Sequence, residues 1–207
     1  MPDLTLESAL HASGVHLVAG VDEAGRGPLA GPVSAAAVIL PSDFNGPGLD
    51  DSKKLRAKKR EALYDAITGH AGLVWAVALA SREEIDSINI LRATHLAMRR
   101  AVEGLKQRPD HCLIDGLPVH EFPTPHDGIV KGDSKSLSIA AASIIAKVTR
   151  DRLMQAIDAE FPEYGFARHQ GYGTKAHLEA LRTHGPCCHH RLSFKPVAQL
   201  SLPLDGS

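Results

Sequence analysis

Apolar residues along this chain gather into short unbroken runs separated by stretches of helical period, the alternation expected of an α/β protein. Three runs of strand length come early, at His16–Asp22, Val33–Leu40 and Leu73–Ala80. Two shorter ones follow at His111–Ile114 and at Ile129 with Val130. Between them Leu4–Ala12 predicts a helix, and Lys58–Thr68 predicts another, with Ala62, Leu63, Ala66 and Ile67 on one face and Gly69 as its stop. Ser81–Asp86 predicts a short helix. Asn89–Lys106 predicts a long one, with Ile90, Thr94, Ala97, Met98, Ala101 and Leu105 as its apolar stripe. Leu137–Val148 is apolar nearly all round and predicts a buried central helix, amphipathic further on through Leu153, Met154 and Ile157 and ended by Phe161-Pro162. Pro41–Leu49 reads as turns, Leu117–Asp127 as a loop or hairpin, and Glu163–Gly173 as a loop before a helix at Thr174–Thr183. From Gly185 the pattern is irregular. The expected architecture is a mixed sheet flanked by helices over residues 1–160, a small helical extension over 161–198 and a flexible tail over 199–207.

With 207 residues, 43% of them hydrophobic, the chain can bury one sizeable core. A formal net charge of −1 gives no global basic field. Basic residues nevertheless cluster at Lys53, Lys54, Arg56, Lys58, Lys59 and Arg60, and again from Lys147 to Arg152. Taken alone, each group reads as a solvated helix face. Three cysteines, two adjacent (Cys187, Cys188), make no disulfide framework and point to a reducing compartment. Met1–His11 lacks the basic and apolar segments of a signal peptide, and no run approaches the roughly 18 apolar residues of a membrane span. The expected location is the cytoplasm.

Four acids share one local setting. Asp22 and Glu23 close the first strand, Asp115 closes the run Cys112-Leu113-Ile114, and Asp133 stands just before the buried helix, each with a glycine within two residues. Adjacent carboxylates at a buried strand end repel and lose hydration, so they call for a cation. Oxygen donors without His or Cys suit Mg²⁺ or Mn²⁺, and two such ions perform phosphoryl transfer. A lone Asp-Gly is more simply a turn; four such acids are harder to read that way. A nucleotide-phosphate loop is the rival for Gly25-Arg26-Gly27, but the spacing to Gly31 misses the dinucleotide fingerprint and a strand, not a helix, follows. Gly132-Asp133-Ser134-Lys135-Ser136 likewise lacks the upstream glycine of a Walker loop.

The run from Gly20 to Val33, with Asp22-Glu23 and Gly25-Arg26-Gly27, resembles the signature of the ribonuclease HII (type 2 ribonuclease H) family. The likeness continues through Asp51-Ser52-Lys53-Lys54-Leu55, Ile114-Asp115-Gly116, Lys131–Ser136, Ala140–Asp151, Gly171-Tyr172-Gly173-Thr174 and His190–Phe194, covering about residues 15–196. It implies an RNase H-like mixed five-stranded sheet, and hydrolysis of the RNA strand of RNA–DNA hybrids and of duplex DNA carrying embedded ribonucleotides. By motif, Asp22, Glu23, Asp115 and Asp133 match the family's catalytic, metal-binding carboxylates, with a two-metal site for Mg²⁺ or Mn²⁺. The cut implied is 5′ to a ribonucleotide, leaving 3′-hydroxyl and 5′-phosphate ends. Gly25, Arg26 and Gly27 correspond to the turn that recognises the 2′-hydroxyl, the group that tells RNA from DNA. Tyr172 corresponds to the tyrosine that packs on the next deoxynucleotide's sugar; the plain alternative is a core tyrosine. Lys53, Lys54, Lys147 and Arg191 are then expected at phosphates. Other possibilities are a two-metal carboxylate nuclease with a different substrate, or a non-catalytic hybrid-binding protein, which would require a missing carboxylate; all four are present.

Two features fall outside this pattern. His184, Cys187, Cys188, His189 and His190 suggest a zinc knuckle, but their spacing matches no common one. Gln199-Leu200-Ser201-Leu202-Pro203-Leu204 resembles the short motif by which bacterial proteins dock into the sliding clamp, through Gln199 and the three leucines Leu200, Leu202 and Leu204. The alternative is a tail folded back on the core. The chain is otherwise expected to be a monomer.

Overall fold

A computed structural model describes residues 1–41, 43–44, 46, 48–49 and 55–200. Strands β1 (Val18–Ala24), β2 (Val33–Ile39), β3 (Val74–Ala80), β4 (His111–Asp115) and β5 (His126–Ile129) form one sheet in the order β3-β2-β1-β4-β5. The β1–β2 and β2–β3 pairs are antiparallel, and β1–β4 and β4–β5 are parallel, so the expected mixed five-stranded sheet is present. Helices α1 (Thr5–Ala12), α2 (Ala57–Thr68), α3 (Arg82–Glu103) and α4 (Leu137–Glu160) accompany it, followed by α5 (Phe166–His169), α6 (Lys175–His184) and α7 (Lys195–Leu200).

The unbroken apolar character of β2 follows from burial on both sides. Val33, Ala35, Ala37 and Ile39 pack with Ala97, Met98 and Ala101 of α3, whereas Ala36 and Val38 pack with Ala140, Ala141, Ile144 and Ile145 of α4 and Ile67 of α2. On β1, a Cβ at Gly20 would lie 2.1 Å from the carbonyl carbon of Ser138. Only glycine lets the backbone of α4 lie directly on that strand.

The two helices expected between residues 81 and 106 both exist, joined at Asn89, whose φ of 67° breaks the helical path. Ser81 and Glu84 form a reciprocal capping box at the first, and the Asn89 side chain accepts from the amides of Leu91 and Arg92 to start the second. Three expectations shift, the first being that the segment Glu163–Gly173, expected as a loop, holds the short helix α5 at Phe166–His169. β5 begins at His126, three residues before the apolar pair, as a half-exposed edge strand whose polar residues hid it. The C-terminal end is not wholly irregular, because α7 buries Val197 and runs two residues into the segment expected to be flexible.

The residues after α4 share a cluster with Leu29, Ala30, Met154 and Ile157, contributed by Tyr164, Phe166, Leu181 and Val197. At the other end of α4, the amino terminus is clipped to the segment carrying Asp133. The Asp3 amide donates to the Lys135 carbonyl, and the Leu137 amide donates to the Asp3 carbonyl. Glu7 is buried there, its Oε1 accepting from the Ser136 hydroxyl and from both the amide and hydroxyl of Ser138.

Candidate active site

Parallel pairing sets the first acids side by side. Val21 stands opposite Ile114, so Asp22 and Asp115 follow at the carboxyl ends of neighbouring central strands, where ligands of α/β sheets gather. Asp22 is buried and points to the α4 side, where Ser143 hydrogen-bonds its carboxylate; its Oδ1 also accepts from the Glu23 amide at 2.6 Å. Glu23 pairs with Arg26 at 3.3 Å. Asp115 Oδ1 accepts from the Gly132 amide at 2.6 Å, which draws the 3₁₀ turn Gly132–Ser134 against the end of β4. That turn carries Asp133, also buried. The four acids thus come from β1, β4 and the turn before α4, as their glycine-flanked positions suggested.

The electrostatics are those of an acid cluster short of positive charge. Burial first, then the negative charges of Glu23 and Asp115, hold the Asp22 carboxyl well above the ordinary carboxylate range, against opposing bonds from Ser143 and the Glu23 amide. Among the described residues no three His, Cys, Asp or Glu side chains form a ready-made metal cage. The donor set nonetheless fits a divalent cation. It offers carboxylate oxygens only, and a dication among them would reverse the repulsion that raises Asp22.

Beside the acids lies a cavity of about 230 Å³ lined by Glu23, Ala24, Gly25, Arg26, Gly27, Ser143, Lys147 and Tyr172. Arg26 and Gly27 are exposed, and a Cβ on Gly27 would touch the Tyr172 ring at 3.4 Å. Tyr172 is 46% exposed, which rules out the core-tyrosine alternative. Lys147 reaches the same cavity while its Nζ bonds Asp151 at 2.6 Å. Lys53 and Lys54 lie outside the described residues, as do Leu202 and Leu204. Gln199 and Leu200 are exposed at the end of α7.

Arg191 corrects the expectation of a phosphate contact. It is fully buried, with Nε donating to the Gly31 carbonyl, Nη1 to Arg26, and Nη2 to Gly25 and Pro32. Arg150, which the sequence did not single out, is its buried companion and donates to the carbonyls of Pro32, Gln170 and Ala30. Burial pushes the pKa of Arg191 down to about 9 and that of Arg150 to about 10, so both stay charged at neutral pH. Ser143 was also missed. Its signal was its place as the polar break in Ala140-Ala141-Ala142-Ser143-Ile144.

The candidate zinc residues are otherwise engaged. His190 Nδ1 accepts from the Cys187 amide at 3.0 Å, and its Nε2 lies 3.0 Å from Nε2 of His177, whose Nδ1 meets the Tyr172 carbonyl at 2.9 Å. His189 instead stands edge-on to Phe161, and His184 to Tyr164. The cluster braces the Tyr172 loop.

A sequence profile described as Ribonuclease HII matches residues 19–197. The ribonuclease HII of Syntrophotalea carbinolica is 54% identical over 196 residues, spanning 95% of this chain and 93% of that protein. That of Verminephrobacter eiseniae is 58% identical over 193 residues, spanning 93% and 90%. Among solved structures, the ribonuclease H2 from Pyrococcus horikoshii OT3 matches with a TM-score of 0.74 at 26% identity, over 89% of this chain and 97% of that one. The PCNA:RNase HII complex from Archaeoglobus fulgidus matches with a TM-score of 0.73 at 27% identity, over 90% and 97%. With its acids, its glycine turn and its fold in agreement, this chain belongs to the ribonuclease HII family.

Proposed function

We propose that this protein is a divalent-metal-dependent endoribonuclease that hydrolyses the RNA strand of RNA–DNA hybrids and nicks duplex DNA 5′ to embedded ribonucleotides. The observation that carries the chemistry is Asp22, buried at a strand end under the negative charges of Glu23 and Asp115 and beside the Gly25-Arg26-Gly27 turn, whose Arg26 and Gly27 are exposed. Family membership supports hydrolysis over mere hybrid binding.

Asp22, Glu23, Asp115 and Asp133 would hold Mg²⁺ or Mn²⁺. Those ions would supply activation of the attacking water and stabilisation of charge on the leaving 3′-oxygen. The chain's own residues do the rest. Ser143 and the Glu23 amide orient Asp22, and the Gly132 amide orients Asp115. The Gly25-Arg26-Gly27 turn meets the ribose, and Tyr172 stacks on the adjoining deoxyribose. Lys147 approaches a phosphate from the cavity wall, a contact that positions the duplex without reading its sequence.

The test is a DNA duplex bearing one ribonucleotide, incubated with and without Mg²⁺, alongside Asp133→Asn. Wild-type protein should cut only with metal, leaving 3′-hydroxyl and 5′-phosphate ends, and Asp133→Asn should not cut. Failure of the wild type would sink the assignment, whereas metal-independent cutting would overturn the mechanism.

The enzyme acts as a cytoplasmic monomer; among the described residues no helix is long and apolar enough to cross a membrane. Its C-terminal end docks on a sliding clamp through Gln199, Leu200, Leu202 and Leu204, a reading supported by the exposure of Gln199 and Leu200. A peptide of residues 197–207 that failed to bind a bacterial clamp at high micromolar concentration would count against this.

A further inference from the structure

The Gly25–Pro32 segment has no regular partner strand, yet its carbonyls are gripped from behind by two buried guanidinium groups. Arg191 takes the carbonyls of Gly25 at 2.6 Å, Arg26 at 2.9 Å, Gly31 at 2.9 Å and Pro32 at 3.2 Å. Arg150 shares Pro32 at 2.9 Å and reaches Ala30 and Gln170 at 3.0 Å each. The glycine at 25 is required by this arrangement. Its φ is +96°, and a Cβ there would fall 2.0 Å from Nε of Arg150.

A trans peptide unit points its N–H opposite to its C=O, and none of the peptide bonds here is cis. The Gly25 carbonyl shares a unit with the Arg26 amide, and the Arg26 carbonyl shares one with the Gly27 amide. With both carbonyls pinned inward on Arg191, both N–H groups must face outward, on the side of the cavity shared with Tyr172. Among the described residues, no acceptor takes either amide. Two adjacent donors with no partner, on an exposed turn, form a ready concavity for an oxygen-bearing ligand.

We propose that Arg191 is a positioning residue for sugar selectivity: by holding the Gly25 and Arg26 carbonyls it aims the amides of Arg26 and Gly27 at the ribose 2′-hydroxyl. Arg150 extends the same hold to Gln170 and so ties the Tyr172 loop to the turn. This rests on the ribonuclease reading above. Lysine cannot replace the fork, because a single ammonium centre cannot span several carbonyls in one plane.

The experiment compares affinities for two duplexes, one with a single ribonucleotide and one entirely deoxy, using Asp133→Asn to prevent cutting. Arg191→Lys in that background should lower the ribo-to-deoxy affinity ratio about tenfold, the worth of one to two well-aimed hydrogen bonds. A variant that is only less stable would lose active fraction but keep the ratio. An unchanged ratio in folded Arg191→Lys overturns the proposal. Arg150→Lys is the second variant and should lower the ratio in the same direction. The wild type supplies an arm that needs no variant to fold. Its Arg26 and Gly27 amides should exchange rapidly in the free protein and become protected by the ribonucleotide duplex but not by the deoxy one. Amides already protected in the free protein overturn the proposal. A starting protein with no ribo preference overturns the ribonuclease reading itself, which separates the two failures.

Discussion

The buried pair His177–His190 gives a stability prediction with a definite sign. The Cys187 amide donates to Nδ1 of His190, so the remaining ring proton of His190 sits on Nε2 and points at Nε2 of His177. His177 must therefore be unprotonated at Nε2, and its Nδ1–H donates to the Tyr172 carbonyl. The relay runs one way and requires both rings neutral. A proton added to His177 would bring two N–H groups head to head across 3.0 Å. The surroundings agree: Tyr164 and Phe166 pack on the His190 ring, Cys187 Sγ lies 3.2 Å from Nδ1, and His189 and Arg82 add positive potential. His169 stacks on His177. Burial pushes the His190 pKa down to about 4, and burial also lowers that of His177. A histidine depressed in the fold takes its proton later than in the unfolded chain, so stability rises with pH across the gap between the two values. The stabilisation is complete above about pH 6.5 and is lost as pH falls toward 4. A gap of about 2.5 pH units at 1.36 kcal/mol each comes to about 3 kcal/mol. Urea unfolding followed by circular dichroism, at about pH 7 and about pH 4.5, should show wild-type protein losing about 2–3 kcal/mol more than His190→Asn. Identical pH dependence in the two proteins would refute the neutral relay.

Two further substitutions test the packing that holds the acids. Gly20→Ala places a methyl group 2.1 Å from the Ser138 carbonyl carbon, backbone against backbone, and should cost about 3 kcal/mol or more in chemical denaturation; an unshifted midpoint would mean that α4 does not lie on β1. Glu7→Gln weakens the acceptor of three hydrogen bonds and adds a buried donor at Oε2, which has no partner. It should lower stability by about 1–3 kcal/mol while leaving turnover per folded molecule unchanged, as measured by denaturation and by nicking of the same preparation.

The acids were legible in the sequence because their setting is local. An acid that closes an apolar run beside a glycine carries its strand end and its turn within a few residues, and parallel pairing of β1 with β4 needed only the fold class. The role of Arg191 was not legible. Its charge beside His190 reads as surface, and its burial depends on carbonyls some 160 residues away in sequence. A long separation in sequence also hid the meaning of Gly25, which makes room for Arg150 as well as turning the chain. His190 stood in a metal-like cluster and His177 was not singled out at all; only the placement of α6 sets one ring against the other. Polar residues hid β5, since an edge strand half open to solvent has no need of an apolar run.

The clip between Asp3 and the Lys135–Leu137 segment bears on how the molecule is made. Asp3 has its hydrogen-bond partners, Lys135 and Leu137, more than 130 residues further along the chain, so it is synthesised well before either. Glu7 waits equally long for Ser136 and Ser138. Contacts of such sequence separation form late in folding, after the loop-closure entropy has been met. The turn bearing Asp133 therefore gains its brace only once the start of the chain and the segment before α4 have met, so the site for cutting a phosphodiester is completed by long-range contacts rather than by its own strand ends.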